Sequence, residues 1–255
     1  MKLISALIAT IALSCLPAWA AVAEPQPDAC EVPASFIESE IDLSHATEEM
    51  KDKHRLDITV LGSGSSALPG PDGVRFAYPA RLEEALKQQL PGSEIKVTAH
   101  VTPKQTTANT LGGLDKILAE DKPSLVVWQA GTADALNGVE ADDFRTSLDT
   151  GIDKIQAAGA DVILMNMQYS PRTASMLDVS AYADIMRRVA QQHSALLFDR
   201  LAIMQYWNDV GTFDLYAATK KYDMARRVHE CIGRALASQI INAAHLDAVR
   251  MQTTR

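Results

Sequence analysis

The sequence predicts an α/β domain in which a parallel sheet is covered by helices on both faces. Three observations carry that reading. From residue 56 to residue 243, short apolar runs alternate with helical segments of about 10 to 17 residues. The runs are apolar at consecutive positions, the pattern of strands buried on both faces. Helical segments end at stop signals such as Pro91-Gly92 and Gly159. With 47% hydrophobic and 22% charged residues, the 255-residue chain has the composition of an ordinary globular protein.

The elements follow in order. Residues 56–61 form an apolar run that ends at Gly62 and suits a buried strand. Residues 76–90 carry apolar side chains at helical spacing. Residues 94–99 alternate as a strand, and 106–118 are helical. Residues 125–129 are a strand closing on Gly131. A helix over 142–158 precedes a strand over 161–166, and a helix over 179–193 precedes a short strand over 195–198. A short helix is expected over 200–209. The last helix spans 224–243, with Val228, Cys231, Ile232, Ala235, Leu236 and Ile240 on one apolar stripe. In parallel sheets of this kind, ligands bind beyond the carboxyl ends of the strands. The segments just after the strands therefore hold the candidate site.

The N-terminus reads as an export signal. Met1-Lys2 leads into an apolar stretch to Leu16, and Pro17-Ala18-Trp19-Ala20 supplies a small-x-small cleavage site; Ala21-Val22-Ala23 offers a second. The expected organisation is a signal peptide over 1–20, an arm over 21–55 with a short helix near 46–53, a domain over 56–245 and a tail over 246–255. A periplasmic or secreted location follows. Cys15 leaves with the signal, so Cys30 and Cys231 remain as an even pair in an oxidising compartment. They are expected to bridge, the alternative being two free thiols.

Charge excludes some partners. The net charge is −8 and no dense Lys/Arg run occurs, which argues against nucleic acid. No 18-residue apolar run follows the N-terminal segment, so no internal transmembrane helix is expected. His45, His54, His193 and His245 form no metal-ligand spacing, and no metal or cofactor is expected. Gly62-Ser63-Gly64-Ser65-Ser66-Ala67 matches a dinucleotide-binding fingerprint on paper. That fingerprint must open a helix, and Pro69-Gly70-Pro71 prevents one.

Six segments, ITVLGSGSSA, YPARLEEALKQQLPGSEIKV, PSLVVWQAGTADAL, AGADVILMNMQYSPR, LFDRLAIMQYW and HECIGRALASQI, carry a different likeness. In order and spacing the chain resembles the SGNH/GDSL hydrolases, exported bacterial members especially. The resemblance implies a three-layer αβα sandwich with a flavodoxin-like parallel sheet. It also implies ester hydrolysis by four separated groups. A Ser after the first strand attacks the carbonyl. Its N–H, a Gly N–H after the second strand and an Asn after the third form the oxyanion hole. An Asp-x-x-His before the last helix supplies the base.

Carried over by position, all four groups are missing. Gly64 stands where the nucleophile belongs, Lys104 at the oxyanion Gly, Ala133 at the oxyanion Asn and Asp223 at the base His, with Lys220 at its Asp partner. The chain thus reads as an inactive pseudo-esterase that binds a small molecule, an acidic or acylated glycan, or an envelope partner. The alternative is an active hydrolase with relocated residues, for which Ser63, Ser65 and His100 are the fallback candidates. His229 lies about 9 Å of helix rise beyond Asp223 and is set aside as a core-edge residue. Asp134 is expected to bond nearby backbone N–H groups. Lys104, Lys220 and Asp223 give the mouth two readings: an anion-accepting pocket, or a Lys104–Asp223 pair that plugs the old site. Tyr169, Tyr222 and Trp207 are candidate stacking surfaces.

Overall fold

The computed structural model describes residues 28–216 and 222–246. The expected signal peptide, Lys220 and nearly all of the tail lie outside the described residues. Five strands form one parallel sheet: β1 (Arg55–Gly62), β2 (Glu94–Val101), β3 (Leu125–Gln129), β4 (Asp161–Met165) and β5 (Leu196–Phe198), in the order β2-β1-β3-β4-β5. β1 sits between β2 and β3, with Val60 level with Ala99 on one side and Val127 on the other. β3 and β4 are wholly or almost wholly buried along their length, which is why their sequences are continuous apolar runs.

Helices cover both faces. On one lie α1 (Ser44–Lys53), α3 (Tyr78–Gln89), α9 (Arg200–Asp209) and α10 (Tyr222–Ala243), packed over Ile58, Val60, Leu125, Val127, Ile163 and Met165. On the other lie α4 (Thr107–Asp121), α6 (Ala141–Ala157) and α8 (Ser180–Gln192), packed over Leu61, Val126, Trp128, Val162 and Leu164. This is the three-layer sandwich the sequence predicts. Three short helices, α2 (Gly73–Phe76), α5 (Thr132–Leu136) and α7 (Pro171–Ala174), sit in the connections after β1, β3 and β4.

The stretch before β1 does more than extend along the surface. Leu43, Ala46 and Met50 are fully buried in the same core as α10. Cys30 is bridged to Cys231 of α10, tying this stretch to the last helix. Trp207 is likewise core, fully buried against Phe213, with its indole N–H donating to the Glu31 carbonyl. It therefore offers no stacking surface.

Strand order reverses between β1 and β3: the chain runs from β1 out to β2 and returns to the other side of β1. Such a reversal leaves a crevice beyond the strand ends. The loop after β1 and the segment after β4 line a cavity at these strand ends.

Candidate functional site

The loop after β1 is a single 3-10 turn, Gly64–Ser66, folded back onto the strand end. Gly62 permits this return, because a Cβ there would stand 2.3 Å from Ser66 Oγ. The turn is held by one side chain. Gln129, the last residue of β3, presents Oε1 to the Ser63 N–H (3.1 Å) and to the hydroxyls of Ser63 (3.2 Å), Ser65 (3.2 Å) and Ser66 (2.8 Å). A backbone N–H among these donors fixes which end of the amide is the oxygen. The Gln129 Nε2 is buried and has no partner. Ser66 Oγ also meets the Tyr78 hydroxyl at 3.1 Å, and burial pushes that phenol's pKa up.

Beneath the turn lies Arg200, the first residue of α9, only 2% exposed. Its guanidinium donates to the Ser65 carbonyl (3.4 Å) and to Ser65 Oγ (3.3 Å), and its Nε has no partner. No carboxylate among the described residues pairs with it. Burial lowers its pKa to about 10, so it stays charged at neutral pH. Buried charges are ordinarily paired, which makes this arginine exceptional.

Above the turn lies His229. The rise along α10 suggests a position away from the site, but the structure corrects this. The first two turns of α10 run alongside the β1 loop, so Ala225, Val228 and His229 line a cavity of about 280 Å³ with Gly64 and Ser65. Leu68, Tyr169, Met204 and Leu215 complete its apolar wall, and Ser170 and Thr173 add hydroxyls. The imidazole Nδ1 accepts the Tyr78 N–H at 3.0 Å, one of the donors left free in the first turn of α3. That bond fixes the proton on Nε2. Burial, helped by the Arg200 charge, lowers the ring's pKa to about 4.

The four family positions read as follows. Gly64 is exposed, and a Cβ built on it meets nothing within 4 Å. Lys104 is exposed at φ +62°, the left-handed conformation that glycine favours. That conformation fits the assignment of this position to the family's Gly. Ala133 is buried in the first turn of α5, after Gly131 at φ +94°. Asp223 has a 93% exposed side chain, 3.9 Å from Arg226. The Lys104–Asp223 plug is therefore absent: both side chains face solvent and neither lines the cavity. The positive charge at the site is Arg200, below the loop.

Of the fallback residues, Ser63 is buried against Gln129, whereas Ser65 reaches the cavity. His100 points to the α4 face, where its Nε2 meets Asp121 Oδ2 at 2.7 Å, and it is not part of the cavity. Asp134 accepts from the Thr107 N–H and hydroxyl (both 2.9 Å) and from the Gly131 N–H (3.3 Å), so it braces the turns after β2 and β3. Gln129 and Arg200 were not singled out from the sequence. A trace of Arg200 exists there: it stands in register with Ile203, Met204 and Trp207 on the buried stripe of α9. A larger cavity, about 610 Å³, lies against the disulfide around Asp28, Cys30 and Arg234 and shares no residue with the serine loop.

A model of the non-GDSL lipase-like family matches residues 29–246. Esterase TesA of Pseudomonas aeruginosa is 29% identical over 140 residues, covering 55% of this chain and 68% of its own. An arylesterase of Vibrio mimicus is 27% identical over 143 residues, with the same coverage. Among solved structures, an acetylxylan esterase from Geobacillus stearothermophilus superposes with a TM-score of 0.59 at 18% identity, over 72% of this chain and 94% of that one. This last likeness is one of fold.

Proposed function

Since the chain belongs to the non-GDSL lipase-like family, within the SGNH/GDSL hydrolases, we propose that it is an exported member that keeps the esterase scaffold without its ester-cleaving groups. The emptied site then serves to bind a small-molecule ligand. One observation carries this: the imidazole nearest the serine loop is built as a donor and not as a base. Its Nδ1 lone pair is taken by the Tyr78 N–H, and its pKa of about 4 makes it a poor proton acceptor at neutral pH. No carboxylate among the described residues orients it, and Gly64 offers no nucleophile below it. Removal of a single oxyanion donor costs about 10²–10³ in rate, and loss of nucleophile and base together costs about 10⁶. A cavity of about 280 Å³ with largely apolar walls favours a small molecule over a glycan chain. The leader at residues 1–20 and the Cys30–Cys231 bridge support export.

A second reading has one observation in its favour: Ser65 and His229 line the same cavity. In that reading Ser65 is a displaced nucleophile. Hydrolysis of p-nitrophenyl acetate and butyrate by the purified protein decides between the two. The expected rate equals the buffer blank. Turnover that disappears in Ser65→Ala, with the fold intact, overturns the first reading.

A further inference from the structure

One end of the molecule is built to meet another surface, and we infer that this surface is a second copy of the chain, docked across a two-fold axis. Five of the six large apolar side chains exposed among the described residues stand at the carboxyl end of the sheet: Val74 after β1, Leu136 after β3, Met176 after β4, and Tyr216 and Tyr222 at the approach to α10. The sixth, Val210, sits at the far end of α9, about 15 Å of helix rise from the strand end where that helix begins. Single exposed apolar residues are ordinary on a protein surface, but their gathering on one rim marks an interaction face.

The charges on this rim decide what covers it. Its segments carry both signs: Asp72 and Arg75 after β1, Arg172 and Asp178 after β4, Asp223 and Arg226 in the first turns of α10. Of these six, only Asp223 and Arg226 make an ion-pair contact among the described residues, and it is loose, at 3.9 Å with the Asp223 side chain in water. A face of one sign repels its own copy. A face of mixed sign can lie on itself turned by 180°, with cations opposite acids of the other copy. An anionic lipid surface would instead meet carboxylates in each of these segments, and the net charge of −8 opposes it further.

Shape agrees with charge. A self-complementary face needs protrusions and a recess within one patch. Val74 and Met176 protrude, at 75% and 78% exposed. The recess, about 430 Å³, opens between the turn at Pro69–Asp72 and the side chains of Phe76, Tyr222 and Arg226. The Arg226 guanidinium lies 3.5 Å from the centre of the Phe76 ring, so stacking holds it in place before any partner arrives. Arg and Tyr are also the residue types that carry much of the binding energy at protein contacts. The rim borders the serine-loop cavity, because Leu215, next to Tyr216, and Thr173, close to Met176, both line it. Pairing therefore takes apolar walls of that cavity out of water as well.

Sedimentation velocity of the oxidised protein from about 1 to 200 µM tests the inference. The expected result is a reversible monomer–dimer equilibrium without larger species, because a two-fold contact closes on itself. Met176→Asp and Tyr222→Asp each enter the interface twice and should raise the dimer dissociation constant at least about tenfold. Val210→Asp, a similar change away from the rim, should leave it within about twofold. All three side chains are exposed, so the fold should survive each substitution, and thermal melts check this. A monomer over the whole range, a dimer that both rim variants leave intact, or a dimer that Val210→Asp weakens equally overturns the inference. Co-sedimentation with phosphatidylglycerol vesicles is run alongside. Binding by monomeric protein that the rim variants abolish assigns the rim to a lipid surface and overturns the inference too.

Discussion

Acidification offers a direct test of the His229 environment. In the folded protein the imidazole has a pKa of about 4, against 6.5 for an ordinary histidine. The pKa is depressed in the fold, so between these values the unfolded chain binds the proton and the native state does not. Stability is therefore full above about pH 6.5 and falls as pH drops toward 4. A shift from 6.5 to about 4 corresponds to a total of about 3 kcal/mol, of which about 2 kcal/mol is lost by pH 5. His229 is only partly buried and lines the cavity, so solvent screening makes these figures upper values. The control is His229→Gln, whose amide oxygen can still accept the Tyr78 N–H but cannot titrate. Urea unfolding of both proteins at pH 7.5, 6.0 and 5.0 gives the comparison. Every other titrating group, including Asp161 with its raised pKa, is common to both and cancels in the difference. The wild type should lose about 2 kcal/mol more than the variant between pH 7.5 and 5.0. Curves that stay parallel to within about 0.5 kcal/mol would refute the buried, neutral imidazole, and with it the assignment of Nε2–H as a donor.

Further outcomes are expected elsewhere in the site. Lys104→Gly should raise stability by about 0.5–1 kcal/mol, because it relieves a left-handed conformation at an exposed residue, whereas Lys104→Ala should change it little; thermal melts of the three proteins decide. Gln129→Leu leaves one buried N–H and three hydroxyls without their shared acceptor, and should cost about 2–4 kcal/mol in urea unfolding. Replacing both Cys30 and Cys231 by Ser should cost about 2–5 kcal/mol. The combined variant Gly64→Ser, Lys104→Gly, Ala133→Asn, Asp223→His, with Lys220→Asp, should gain weak p-nitrophenyl acetate hydrolysis that needs both the new Ser and the new His; activity without either one would refute the positional assignment.

The strands were legible because burial on both faces writes them as continuous apolar runs. Residues 125–129 coincide with β3, and the helix expected at 200–209 coincides with α9. The helices α2, α5 and α7 have four or five residues and complete too little of a period to register. The expectation of absent catalytic groups rests on Gly64 and Ala133, which sit inside segments that resemble the family, and on Lys104 and Asp223, placed by spacing from such segments. The residues that brace the serine loop were not legible. Arg200 enters the site from α9 and Gln129 from β3, and neither adjoins the serine loop in sequence. For His229, counting rise along one helix assumed that the helix begins at the site. Instead α10 runs past it, and the imidazole is placed by a bond to Tyr78, 151 residues away in sequence. Lys104 and Asp223 gave the opposite lesson. Opposite charges at neighbouring family positions suggested a pair, yet the loop and helix bearing them leave both in water.

The two ends of the fold are fastened to each other more closely than their places in the chain suggest. Besides the bridge, which brings the Cα atoms of Cys30 and Cys231 to 4.7 Å, the Leu43 N–H donates to the Ala243 carbonyl and the Thr47 hydroxyl to that of Ala244, both at 2.9 Å. Asp28 pairs with Arg234, and Asp42 with His245. The point where the chain starts is therefore largely arbitrary for the sheet. A circular permutant that joins residue 246 to residue 28 by a linker long enough to run back along about three turns of α10, and opens at the exposed turn around Gly138 between α5 and α6, should keep the strand pairings and the serine loop. In such a molecule the bond between Cys30 and Cys231 closes a much shorter ring, in place of one that encircles the domain.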